Sequence, residues 1–295
     1  MIDLKKLIEA YVHFGHKKTR WNPKMAPYIW GHRQGIHLID VSKTARNLEK
    51  AAKFLEEVAS EGKTILWVGT KKAAHTMIAE LGQTMEMPYI NYRWVGGMLT
   101  NYSQVRKSVT KYLHMEDVLA RSAESHYTKK ELNQLQKNID RLKRTVGGIR
   151  KLTWPVGAVV IIDVKREATA LKEAMECNIP VVALVDTNCD PTGIAYPIPG
   201  NDDSPRSIKI VLDYLAHAAQ EGKKKAKQVV AVEESLVPET PVDIAEILLE
   251  DEEAESRKER AKRSAAPLKG DDEAKRVMPK KVNKPVGKPR TTERN

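Results

Sequence analysis

A chain of 295 residues with 50 Lys and Arg against 39 Asp and Glu carries a formal charge of +11 and a pI near 9.4; it can bury an ordinary core and favours polyanionic partners. Its two cysteines, Cys177 and Cys189, are too few for a disulfide framework and lack the paired short spacing of a structural zinc site, which points to a reducing cytoplasm. No run approaches the roughly 18 apolar residues that span a bilayer, so the chain is read as soluble, with no membrane partner.

The opening stretch, Met1 to Phe14, carries Asp3 and Glu9 among its apolar residues and matches neither a secretory signal nor a transit peptide. Lys17, Lys18, Arg20, Trp21, Lys24, Trp30 and Arg33 follow, with His13, His16, His32 and His37 among them. His13-x-x-His16 has a spacing that can hold a metal, but nothing supplies the remaining ligands, so no metal is expected. Cations and ring planes suit phosphates and unpaired bases, and RNA contact is expected here. Core packing competes with stacking for Trp21 and Trp30, and equally for Trp94 further along the chain.

A helix is expected from Ser42 to Ser60 with Ser42 as its N-cap, then a strand from Thr64 to Val68 and a helix from about Lys72 to Gly82. Gly62-Lys63-Thr64 resembles the end of a P-loop, yet Glu57 stands where the leading glycine belongs and the triplet precedes a strand. Gly69-Thr70-Lys71-Lys72 is better placed to meet a phosphate, following a strand and opening a helix, although a plain turn is the alternative. Arg93-Trp94-Val95-Gly96-Gly97-Met98-Leu99-Thr100-Asn101 joins a cation, an indole and a Gly pair, and leads into Arg106 and Lys107.

Between about 103 and 150 the chain turns polar and helical in period. Leu132, Leu135, Ile139, Leu142, Val146 and Ile149 follow the three-four spacing of a coiled-coil seam, with Val105, Val109, Tyr112, Met115 and Leu119 as a partner stripe. An antiparallel helical hairpin bending over Arg121 to Tyr127 is expected, its second arm reaching roughly 28 Å at 1.5 Å per residue. Lys129, Lys130, Arg141, Arg144 and Arg150 form its basic face.

Apolar strands return at Val156 to Val164 and Ile179 to Val185, with helices at Glu167 to Cys177 and Pro205 to Ala219. Near-continuous apolar strands alternating with helices predict an α/β class with a doubly wound parallel sheet. Asp163, Asp186, Asp190, Asp202 and Asp203 fall at or beyond the carboxyl ends of strands, where such sheets place ligands. An enzyme acting on a phosphorylated small molecule is therefore the competing reading, but no complete catalytic constellation is found and no cofactor is expected. From Glu221 the core pattern is lost: residues 233–255 hold ten acidic and no basic residues, and residues 256–295 hold fourteen basic against five acidic. Such blocks are expected to be disordered, with a short docking helix from Pro241 to Glu250. The division expected is 1–102 and 151–220 for the two parts of the α/β domain, 103–150 for the hairpin and 221–295 for the tail.

Several of these stretches resemble the bacterial-type ribosomal protein S-two family. They are His13-Phe14-Gly15-His16 through Arg20-Trp21-Asn22-Pro23-Lys24-Met25-Ala26-Pro27-Tyr28-Ile29, Gly35-Ile36-His37-Leu38-Ile39-Asp40, Val68-Gly69-Thr70-Lys71-Lys72, the Arg93 to Asn101 segment, Gly147-Gly148-Ile149, Ile179 through Pro191, and Tyr196 through Asp203. The resemblance covers about residues 1–220. It implies a structural protein and not an enzyme, bound to small-subunit ribosomal RNA near the junction of head and body, beside other small-subunit proteins, and helping to recruit the mRNA-binding protein S-one. Two departures stand out: Trp154-Pro155-Val156-Gly157 lacks the acidic residue the family usually carries after that proline, and the tail is longer and more basic at its end. The RNA contacts expected are Lys17, Lys18, Arg20, Trp21, Lys24, Arg33, Lys71, Lys72, Arg93, Trp94, Asn101, Arg106 and Lys107, together with the basic residues of the hairpin.

Overall fold

The computed structural model describes residues 2–121 and 127–236, with side chains described as far as residue 226. A parallel sheet of five strands forms its centre. Strands β4 (Thr64–Val68), β5 (Tyr89–Ile90), β6 (Val156–Ile162), β7 (Val181–Val185) and β8 (Tyr196–Pro199) run in the order β5-β4-β6-β7-β8. Counted along the chain this is 2-1-3-4-5, a doubly wound order that reverses direction between β4 and β6.

Alternate residues of the strands feed two cores, as a period of two requires. Ile65, Trp67, Val160, Ile162, Val182 and Leu184 pack with α2 (Val41–Ser60), α3 (His75–Thr84) and α7 (Pro205–Leu236). Leu66, Val68, Val159, Ile161, Ala183 and Val185 face the opposite way. They meet α6 (Ala168–Glu176) and the helical pair α4 (Tyr102–Ala120) and α5 (Lys129–Val146). Full burial on both faces explains why these strands read as unbroken apolar runs.

Most of the expected stripes of α4 and α5 meet: Val105, Tyr112, Ile139, Val146 and Ile149 are buried, with Val109, Met115, Leu119, Leu135 and Leu142 packed against them, while Leu132 does not join this cluster. Thr128 opens α5 with a capping box, accepting from the Glu131 amide while Glu131 accepts from the Thr128 amide. Of the expected bend, residues 122–126 lie outside the described residues. So do the blocks beyond 236, including the expected helix from Pro241 to Glu250 and the basic end.

Several boundaries differ from expectation. Asp40, not Ser42, caps α2, its carboxylate accepting from the Ser42 amide at 3.0 Å. Strand β6 stops at Ile162 because Asp163 turns into the left-handed region (φ 66), and α3 begins at His75, three residues after Lys72. Helix α7 continues past Ala219 to Leu236, and Gly222 lets it approach α2 closely: a Cβ there would lie 2.2 Å from the Glu56 carbonyl.

A second, antiparallel sheet was not expected. Strands β1 (Phe14–Lys17), β2 (Ile29–Arg33) and β3 (Ile36–Ile39) run in the order β1-β3-β2, preceded by the short helix α1 (Leu4–Glu9). The turn between β2 and β3 is Gln34-Gly35, both with positive φ (52 and 76), as a two-residue hairpin of the primed type demands.

Candidate nucleic-acid interface

The antiparallel sheet carries the first group of expected contacts and is fixed to the carboxyl end of β7. The His16 amide donates to Thr187 Oγ1 at 2.8 Å, and the Asn22 amide donates to the Thr187 carbonyl at 2.7 Å. This leaves Lys17, Lys18, Arg20 and Arg33 exposed, with no ion pair to another described residue. Trp21 is 38% exposed and tilts over His37 with ring centres 5.2 Å apart, while Trp30 is 76% exposed, against the core alternative for it. Lys24 remains exposed but is engaged, donating to Asp190 at 2.7 Å and Thr192 at 3.0 Å. His13 leans on Phe14 with ring centres 4.3 Å apart, and burial lowers its pKa.

The helical pair carries the second group. Arg106 and Lys107 on α4, and Lys129, Lys130, Arg141 and Arg144 on α5, are exposed and unpaired among the described residues, as are Lys72 and Arg93 in the loops. Asn101 is exposed at the N-cap of α4, where its side chain accepts from the Ser103 hydroxyl instead of capping the helix. Arg150 lies 6.0 Å from the centre of the Tyr112 ring and 3.7 Å from Glu116, so part of its charge is committed within the protein.

Two expected contacts point inward. Trp94 is buried, and its indole N–H donates to Glu173 Oε1 at 2.9 Å; the same carboxylate accepts from the Gly97 amide at 2.9 Å and the Leu99 amide at 3.0 Å. The Arg93 to Asn101 segment is thus shaped by a buried glutamate on α6, and Trp94 has no free face for a base. Lys71 likewise does not face solvent phosphate: its ammonium lies 2.7 Å from Asp202, 2.6 Å from Asp203 and 3.5 Å from Asp163. Burial opposes the charge of Lys71, but the hydrogen bonds to Asp202 and Asp203 outweigh it and raise its pKa.

Lys71 sits where the strand order reverses, among the aspartates at the carboxyl edge of the sheet. Burial, with the charges of Asp186 and Asp163, pushes Asp202 up to about 7, and its Oδ2 is a buried acceptor without a partner. His16 donates to Asp186 across 3.0 Å, and that hydrogen bond raises its pKa. Ligand atoms of His16, Asp186 and Asp202 lie within 4.8 Å of one another, close enough to converge on one cation. Beside them Glu167, which sequence reasoning missed, is buried and accepts from the Thr70 amide at 3.2 Å and from the Thr70 hydroxyl, and burial raises its pKa. Glu173 was missed as well.

The family model described as Ribosomal protein S2 matches residues 7–222. Among curated proteins, "Small ribosomal subunit protein uS2" of Geotalea uraniireducens is 47% identical over 221 residues, covering 75% of this chain and 86% of that protein. The proteins of the same name from Thermobifida fusca and Micrococcus luteus are 45% and 44% identical over 223 residues, covering 75% of this chain and 76% and 78% of theirs.

Proposed function

Since the chain belongs to the ribosomal protein S2 family, a family of structural proteins and not of enzymes, we propose that it is a constituent of the small ribosomal subunit that binds small-subunit ribosomal RNA. The observation that carries the RNA contact is the split among its cations. Lys17, Lys18, Arg20 and Arg33 on the antiparallel sheet, and Arg106, Lys107, Lys129, Lys130, Arg141 and Arg144 on the helical pair, are exposed and unpaired among the described residues. Exposed cations neutralise phosphates and release counterions, whereas the interior Lys71 is already neutralised by aspartates.

In this reading α4 and α5 act as an antiparallel coiled-coil arm inserted in the α/β domain, and Trp21 and the loop cations at Lys72 and Arg93 extend the contact. The basic end, 256–295, adds affinity that does not depend on sequence. The resemblance further supports neighbouring small-subunit proteins as partners, recruitment of the S-one protein and residence on ribosomes, in the cytoplasm or, for an organelle-encoded chain, in the stroma or matrix. No described helix is long and apolar enough to cross a membrane. The aspartate edge as an active site is set aside with the family assignment.

Sedimentation of a lysate at near-physiological salt, with and without ribonuclease, tests the proposal. Comigration with small subunits that is lost on RNA digestion is expected. A low-mass peak in both runs overturns it.

A further inference from the structure

We propose that a cleft between the base of the helical pair and the α3–β5 edge of the sheet holds one unstacked nucleotide of the small-subunit RNA, with its phosphate against Lys143 and Arg144 and its base against Tyr92. This rests on the RNA-binding reading above and adds a defined subsite to it. The cleft encloses about 680 Å3, a size typical of small-ligand sites.

Its charge is one-sided. Lys143, Arg144, Arg150 and Lys151 line it against one carboxylate, Glu86. Lys151 holds Glu86 at 2.8 Å, and Arg150 is drawn toward Glu116 and the Tyr112 ring. Lys143 and Arg144 are exposed and unpaired among the described residues, and so are the charges left for a ligand.

Aromatic rings line the cleft as well. Tyr92 is 51% exposed, and the half-buried Tyr89 accepts from Gln83 Nε2 at 3.3 Å. Two close approaches seat Tyr89 and cover its ring, a Cβ at Gly82 lying 2.2 Å from that ring and one at Gly148 lying 2.2 Å from its carbonyl oxygen, so Tyr92 is the ring left for a base. Ring faces beside unpaired cations are what an unstacked base and its phosphate need. An acidic peptide would use the cations and leave Tyr92 without a stacking partner.

The test uses the full chain bound to purified small-subunit ribosomal RNA. Ultraviolet crosslinking with peptide mapping is combined with affinities of Tyr92→Ala and of Lys143→Ala/Arg144→Ala across a salt series. A nucleotide crosslinked to the peptide holding Tyr92 is expected. Tyr92→Ala should weaken binding about tenfold with the salt slope unchanged, and the double variant should make the slope shallower by about 1 to 2. Crosslinks elsewhere, with both variants binding as the parent does, overturn the cleft while leaving RNA binding intact. A parent chain that binds no RNA overturns both. AMP at micromolar concentration displacing the Tyr92 crosslink would assign the cleft to a free nucleotide and overturn the RNA assignment.

Discussion

Trp94 donates its indole N–H to Glu173 across 2.9 Å, from a loop to a helix 79 residues further along the chain. The carboxylate also takes the amides of Gly97 and Leu99, so it is the shared acceptor for a segment that has no regular secondary structure of its own. Glu173→Ala leaves three donors without it. Each buried donor left unsatisfied costs roughly 1–3 kcal/mol, so a loss of about 3 kcal/mol, or roughly 6–12 °C in Tm, is expected. Thermal unfolding followed by tryptophan fluorescence checks this, and an unchanged Tm would contradict it.

Lys71 and the trio Lys17, Lys18 and Arg20 should separate in opposite directions. The trio is exposed, so Lys17→Ala/Lys18→Ala/Arg20→Ala should leave stability within about 0.5 kcal/mol of the parent while making the salt dependence of RNA affinity shallower by about 2. Lys71→Ala removes the counter-charge of Asp163, Asp202 and Asp203, and should cost about 3 kcal/mol of stability with no change in salt slope. Urea titrations and filter binding on both variants decide.

Glu167 sets a pH dependence. Burial raises its carboxyl pKa against the opposing hydrogen bonds from Thr70, so the folded state holds the proton more tightly than the unfolded chain. Stability from this group is therefore lost as pH climbs from the ordinary carboxylate value through the raised one, and stays at the lower level above it. Glu167→Gln removes that step. The stability of the variant relative to the parent should rise through the acidic range and then level off, as read from urea midpoints between about pH 4 and pH 8. A relative stability that falls over this range would reverse the assigned cause.

Gly148 and Gly31 make a paired test. A Cβ at Gly148 meets the Tyr89 backbone at 2.2 Å, whereas one at Gly31 meets nothing within 4 Å. Gly148→Ala should cost about 2 kcal/mol or more through forced backbone displacement, and Gly31→Ala should stay within about 0.5 kcal/mol of the parent. Equal Tm values for the two variants would contradict the close approach.

Removing residues 256–295 deletes fourteen basic and five acidic residues. RNA affinity should fall and its salt slope should become shallower, while discrimination between specific and unrelated RNA increases, because the lost contacts are independent of sequence. Competition binding measures all three. An unchanged slope removes this role from the tail.

Apolar period made the central sheet legible: Thr64–Val68 matches its expected strand, and Val181–Val185 lies within the expected Ile179 to Val185. The stripes of α4 and α5 were legible for the same reason. The antiparallel sheet was hidden because strands of four or five residues offer too little alternation, although Gln34-Gly35 between apolar residues was an available hairpin signal. Strand β8 was hidden by Pro197 and Pro199, which its place at the sheet edge tolerates.

At the candidate site, residue type was legible and direction was not. Lys71 read as a phosphate ligand because its partners Asp163, Asp202 and Asp203 lie about 90 to 130 residues away, beyond any local pattern. Glu173 left one trace: it shares the buried face of α6 with Ala170 and Ala174, where a glutamate breaks the apolar period and signals an internal acceptor.

The first strand of the chain is fastened by residues that are made late. Asn201 donates to the carbonyls of Tyr11 and Val12, and Thr187 meets His16 and Asn22. At about 5–20 residues per second, some 190 residues of synthesis separate the emergence of Tyr11 from that of Asn201, a delay of roughly 10–40 s. During that interval β1 can pair with β3, but the antiparallel sheet that carries Lys17 to Arg20 lacks its ties to Thr187 and Asn201. A nascent chain halted before Thr187 therefore lacks the hydrogen bonds that fix the antiparallel sheet to the carboxyl end of β7.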